Sequence, residues 1–158
     1  MEKNNIKNRI NNIFKKEKLL IGVVHLNPLP GSPSYKGESL DEIFDLALKD
    51  TKCYAQENFH GVIIENHGDI PFNKPDDIGP ETVAFMSVIT NKLREKYKHL
   101  IFGINILANA AIPALSVAMA TNSSFIRVNQ YTNAYIANEG FLEGLAAKIT
   151  RYRKWIGA

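Results

Sequence analysis

Seven residues stand apart in this chain because their side chains move protons, hold anions or fix polar ligands: His25, Glu65, Asn66, Asp69, Asn105, Arg127 and Asn129. An imidazole exchanges protons near neutrality and a carboxylate acts as acid or base, so His25 and Glu65 are the candidate catalytic residues. A guanidinium matches carboxylate and phosphate, which makes Arg127 the candidate anion clamp. Asn66, Asn105 and Asn129 supply amides for ligand binding. Asp69, beside Pro71 and Phe72, reads equally as an acid at the rim of a site or as a turn residue. His25, His60, His67 and His99 with Cys53 have no metal-ligand spacing, so no metal site is expected. Neither a glycine-rich dinucleotide fingerprint nor a phosphate loop ending in Gly-Lys-Ser/Thr occurs, and the residues name no cofactor.

These residues sit at the ends of alternating apolar and amphipathic segments. Continuous apolar runs predict strands over 19–26, 61–65, 100–107 and 125–129. Helices are expected from a Ser39 cap to about residue 58, over 81–98, over 112–122, and from about 140 to 156 before Gly157. The loops 27–37 and 66–80 are rich in proline. Four βα units in succession argue for a parallel sheet with right-handed crossovers, either doubly wound or part of a barrel. Cys53 falls within the first of these helices and is expected to pack.

In such sheets the chemistry lies at the C-terminal ends of the strands. Alternation along each strand puts Val24, Val62, Ile64, Ile104, Ile106, Ile126 and Val128 on the helix side. His25, Glu65, Asn105, Arg127 and Asn129 then share the opposite face. Unpaired, such groups cost several kcal/mol to bury, so they must meet each other, water or a ligand. In a barrel, alternate strands share a layer, which pairs Glu65 with Arg127 and brings His25 toward Asn105. A buried ion pair with satisfied neighbours is the plain alternative to a ligand site.

The chain has 158 residues, 45% hydrophobic and 22% charged, with one cysteine, which excludes a disulfide scaffold and a disordered chain. Its net charge of +3 belongs to the two ends: residues 1–18 carry six basic and two acidic groups, and residues 19–147 carry nine basic against fourteen acidic. That is a poor match to a nucleic-acid-binding face. A lone cysteine and no apolar leader set a cytoplasmic location as the expectation. Over residues 1–18, Ile6, Ile10, Ile13 and Phe14 fall on one face of a short helix, whose basic side suits either a lid on the body or peripheral contact with a membrane.

The runs Ile21-Gly-Val-Val-His-Leu26, Pro28-Leu-Pro-Gly-Ser-Pro33, Glu65-Asn-His-Gly-Asp-Ile-Pro-Phe72, Gly103-Ile-Asn-Ile-Leu107 and Phe125-Ile-Arg-Val-Asn129 resemble the BtpA/SgcQ family, in order, from about residue 13 to the end. The resemblance implies a TIM barrel related to phosphate-binding barrels. It also implies a role for one cyanobacterial branch in photosystem I accumulation and, for others, functions near sugar utilisation, with no settled reaction. This chain departs from the family pattern at Ala108-Asn109-Ala110, Asn133 and Asn138-Glu139-Gly140.

Family members continue for four more βα units, so the expectation is an N-terminal half, (βα)4, of a TIM barrel over residues 19–158, preceded by the short helix. Loops that commonly bind phosphate, after strands seven and eight, belong to the other half. Such a half would leave Val23, Ile63 and Phe125 in an exposed apolar patch and two bare sheet edges. Association is therefore expected, with a second copy or with a separately encoded C-terminal half. Three functional readings remain: a barrel binding a phosphorylated sugar or nucleotide-like metabolite, a noncatalytic assembly factor for a membrane complex, and a truncated remnant without activity.

Overall fold

A computed structural model describes residues 11–15 and 18–158. The amphipathic helix expected over 1–18 therefore lies largely outside the described residues; residues 11–14 are helical. Strands β1 (Ile21–His25), β2 (Gly61–Glu65), β3 (Ile101–Asn105) and β4 (Phe125–Ile126) form one parallel sheet in sequence order. Between and after them run helices α1 (Leu40–Gln56), α2 (Pro80–Lys96), α3 (Ala111–Ala120) and α4 (Ala146–Ile156). This is an α/β fold of four βα units, half the strand count of a TIM barrel, and no barrel closes among the described residues.

The elements begin and end where local chemistry dictates. Ser39 caps α1 by accepting from the Glu42 amide while the Glu42 carboxylate accepts from the Ser39 amide, a reciprocal capping box. That bonding holds the Glu42 carboxyl below its usual range. Pro80 opens α2 at a position whose N–H has no helical partner. Gly157 ends α4 in the left-handed conformation, φ 77°.

Even-numbered strand residues face the helices. Val24, Val62, Ile64, Phe102 and Ile104 are fully buried against Ile43, Ala47, Met86, Ile89, Leu93, Ala114 and Val117. Each large side chain buried this way contributes roughly 1.5–3 kcal/mol before entropy is counted. The odd-numbered residues form layers on the other face. Val23, Ile63, Gly103 and Phe125 are in register across the sheet, and His25, Glu65 and Asn105 form the next layer toward the C-terminal rim.

Four expectations change. The fourth strand ends at Ile126 rather than at 129, although the Arg127 amide still bonds the Ile104 carbonyl at 2.9 Å. The segment read as the start of the last helix is instead an antiparallel hairpin, β5 (Ala134–Ala137) and β6 (Gly140–Glu143), turned by Asn138 and Glu139. Leu142 of this hairpin is buried, and Gly140, φ 91°, takes a conformation open to glycine, so alternation and turn geometry override the helical reading. Cys53 is exposed on α1 rather than packed. Finally, Ile63 is buried, while Val23 and Phe125 are half-buried. The Phe125 ring occupies the space where a side chain at Gly103 would stand, and Phe14 leans on it with ring centroids 5.8 Å apart. The inner face thus fills part of its own patch.

Candidate functional site

Glu65 is the centre of the polar layer. Its side chain is 4% exposed, and both carboxylate oxygens are engaged: Oε1 lies 3.3 Å from His25 Nε2, and Oε2 accepts from Arg127 Nη1 at 2.8 Å and from the Asn105 amide. His25 and Arg127, by contrast, are 52% and 49% exposed at the side chain. The strand register explains the meeting, because His25, Glu65 and Asn105 are direct neighbours on β1, β2 and β3. Arg127, just beyond β4, reaches back past β3. The expected Glu65–Arg127 pair forms, but the expected approach of His25 to Asn105 does not, because Glu65 stands between them.

A carboxylate on Nε2 favours the tautomer with its proton there and leaves Nδ1 of His25 as the acceptor. Arg127 gives one of its five N–H donors to Glu65, leaving others for an anion. Asn105 Oδ1 is buried and has no hydrogen-bond partner among the described residues, since the amide nitrogen is committed to Glu65.

The remaining expected residues fasten loops rather than join this layer. Asn66 Oδ1 accepts from the Leu107 amide at 2.8 Å, and its amide nitrogen donates to Asp69 Oδ2 at 2.9 Å. Asp69 Oδ1 accepts from the Leu29 amide at 2.7 Å. Partial burial raises the Asp69 carboxyl above its usual range, against the lowering effect of these two bonds. Asn129 Oδ1 accepts from the Asn109 amide at 3.0 Å. Together they tie the loop after β1 to that after β2, the second to the third, and the third to the fourth.

Asn109 is not among the residues expected at the site, yet it bonds neighbouring loops as extensively as Asn66. At φ 60° its side chain accepts from the Gln130 amide at 2.8 Å and donates to the Glu143 carbonyl at 3.1 Å, anchoring the hairpin. An asparagine flanked by two alanines after an apolar strand is the signal, since asparagine tolerates the left-handed region. His67 was also missed: its ring stacks on His25 with centroids 4.3 Å apart, and Phe72 meets it edge-on at 6.0 Å. Phe72 also borders a cleft of about 220 Å³ between the first two rim loops, lined by Pro30, Asp69 and Glu81 among others. No helix among the described residues is long and apolar enough to cross a membrane.

Residues 16–158 match the BtpA family model. An uncharacterized protein of Pyrococcus horikoshii is 45% identical over 136 residues, 86% of this chain and 51% of that protein. One from Archaeoglobus fulgidus is 43% identical over 140 residues, 89% of this chain and 55% of that protein. The Photosystem I biogenesis protein BtpA of Synechocystis is 36% identical over 141 residues, 89% of this chain and 48% of its own length. The chain belongs to the BtpA family, and it spans about half the length of the curated relatives it matches.

Proposed function

We propose that this BtpA-family chain uses its polar layer to bind a small anionic metabolite, a phosphorylated sugar or nucleotide-like compound, and to move a proton on it. The supporting observation is a buried carboxylate, Glu65, held between two half-exposed groups, His25 and Arg127. Arg127 offers its unused N–H donors to the anion. His25 takes the proton at Nδ1, and Glu65 stabilises the resulting imidazolium from the other side. Asn105 keeps the carboxylate oriented. Asn66, Asp69 and Asn129 hold the loops around the ligand.

Calorimetric titration with ribose 5-phosphate, glucose 6-phosphate and AMP tests the reading. Arg127→Ala is expected to weaken binding of the accepted compound by about tenfold or more, as loss of a charge-assisted contact does. His25→Ala is expected to abolish any turnover with the fold intact by circular dichroism. Unchanged binding and turnover in both variants would sink the assignment.

A second reading draws on the name of the cyanobacterial relative and on the excess of basic residues over 1–18: a noncatalytic assembly factor for a membrane complex, held at the bilayer by its N-terminal segment. Its mark is salt-sensitive binding to anionic vesicles that disappears on deletion of residues 1–18.

A further inference from the structure

We infer that two copies of this chain close on each other about a two-fold axis, α4 of each copy seating beside α1 of the other, so that the polar layers of both face one shared lumen. The inference rests on what the outer helices present on their uncovered flanks. On α1, Asp41 bonds Lys92 of α2 at 2.7 Å, and Lys92 also lies over the Phe44 ring, which identifies the side that faces α2. Stepping about 100° per residue, Leu46, Asp50 and Glu57 fall on the other side of the helix, and all three are exposed. That free flank is acidic around one apolar residue.

On α4, Tyr152 meets Ser116 of α3 at 2.9 Å, which identifies the covered side. By the same stepping, Thr150 and Lys154 fall about 160° from Tyr152, on the opposite flank, and Arg153 about 100° around from it, toward that flank; all three are exposed. This free flank is basic, and Arg153 Nε bonds only the Ala158 carbonyl. The two flanks agree in hand: seen along each helix, the next position around the sheet lies on the side that α2 occupies beside α1 and that no described element occupies beside α4. Arg153 and Lys154 lie within the last turn of α4, Glu57 is the C-cap of α1, and Asp50 stands nearly two turns before it.

A half-turn about the axis of the sheet therefore opposes an acidic flank to a basic one twice, and brings the β4 edge to the β1 edge, neither of which has a further strand partner among the described residues. Two copies supply eight strands, the number that closes such a barrel. At the β1 edge the Val23 carbonyl is held by the Tyr54 hydroxyl at 3.0 Å, and pairing exchanges that bond for a strand N–H. Each polar layer holds one carboxylate and one guanidinium, so two layers across a lumen set no excess of like charge against itself.

Light scattering and sedimentation of the 158-residue chain at micromolar concentration test the inference. The expected mass is twice the 17.7 kDa of one chain. Asp50→Lys with Glu57→Lys, or Arg153→Glu with Lys154→Glu, is expected to weaken the dimer about tenfold or more, an effect reduced by salt. Combining all four reversals in one chain is expected to restore it, because both interfaces then carry swapped charges. These positions are on the surface, and matching melting curves confirm the fold of each variant. A monomer at these concentrations overturns the inference. So does a dimer indifferent to both reversals, or one lost on Ile136→Ser with Phe141→Ser, which would place the contact on the exposed hairpin. None of these results depends on whether the polar layer binds a metabolite.

Discussion

Arg127 Nη1 donates to Glu65 Oε2 at 2.8 Å across the width of β3, and Asn105 of that intervening strand donates to the same oxygen. The two partners are buried very unequally, and burial sets which one the fold can lose. With Arg127 gone, a buried carboxylate keeps only Asn105 and His25. With Glu65 neutralised, the half-exposed guanidinium turns to water. Arg127→Met is expected to destabilise the chain by about 3 kcal/mol, and Glu65→Gln by about 1 kcal/mol. Urea unfolding of both and of the double variant checks this; additivity to within about 0.5 kcal/mol would show that the pair is not coupled.

Asn109 holds a left-handed turn and three loop contacts at once. Asn109→Gly keeps the backbone freedom and loses the side-chain bonds, at a cost of about 1–2 kcal/mol. Asn109→Ala loses both and costs about 1 kcal/mol more. Hydrogen exchange is expected to rise at the Gln130 amide and in the β5–β6 hairpin, with β1 to β3 unchanged. Uniform acceleration across the sheet would contradict a role confined to the rim.

Asp69 offers a pH signature. Burial raises its carboxyl above the ordinary 3.8, so the folded chain holds that proton more tightly than the unfolded chain. Ionisation therefore opposes folding: the stability associated with this group falls as pH climbs from the ordinary value through the raised one, then levels off. Carboxyl NMR titration should find the midpoint above 3.8, and Asp69→Asn should flatten that part of the stability profile. A midpoint at or below the ordinary value would remove the claim.

Gly103 faces Phe125 so closely that a methyl group there meets the ring. Gly103→Ala is expected to displace Phe125 and destabilise by roughly 1–3 kcal/mol, lowering the melting temperature. Pairing it with Phe125→Leu, which frees space, should recover part of the loss; no recovery would mean that the strain lies elsewhere.

The layer of His25, Glu65, Asn105 and Arg127 was legible because parallel strands impose a strict alternation, and one polar residue at the end of each apolar run has only one face left to take. The partner of His25 was not legible. Alternation gives a face but not the lateral reach of a side chain, and Glu65 is long enough to serve both neighbours. Asn66, Asp69 and Asn129 bond main-chain amides of neighbouring loops, a role that sequence does not separate from ligand contact, because loop asparagines and aspartates serve either with the same spacing. The hairpin at 134–143 was obscured by Gly140-Phe-Leu-Glu, whose apolar pair fits a helix entry as well as a strand. The antiparallel register from Ala134–Glu143 to Ala137–Gly140, with Leu142 buried, resolves it. Cys53 sits on a helix whose buried stripe passes through Thr51, two positions away, a rotation that no composition argument locates.

The ties from Asp69 to Leu29, from Asn66 to Leu107 and from Asn109 to Asn129 link four successive rim loops like clasps on a belt. A belt moves as one body. Displacing the loop after β1 must load the loop after β2, and through it the third and fourth, so opening the rim is a collective event rather than four independent ones. Much of the entropy of ordering these loops is already lost on folding, and a ligand arriving there meets a surface that has little further order to acquire.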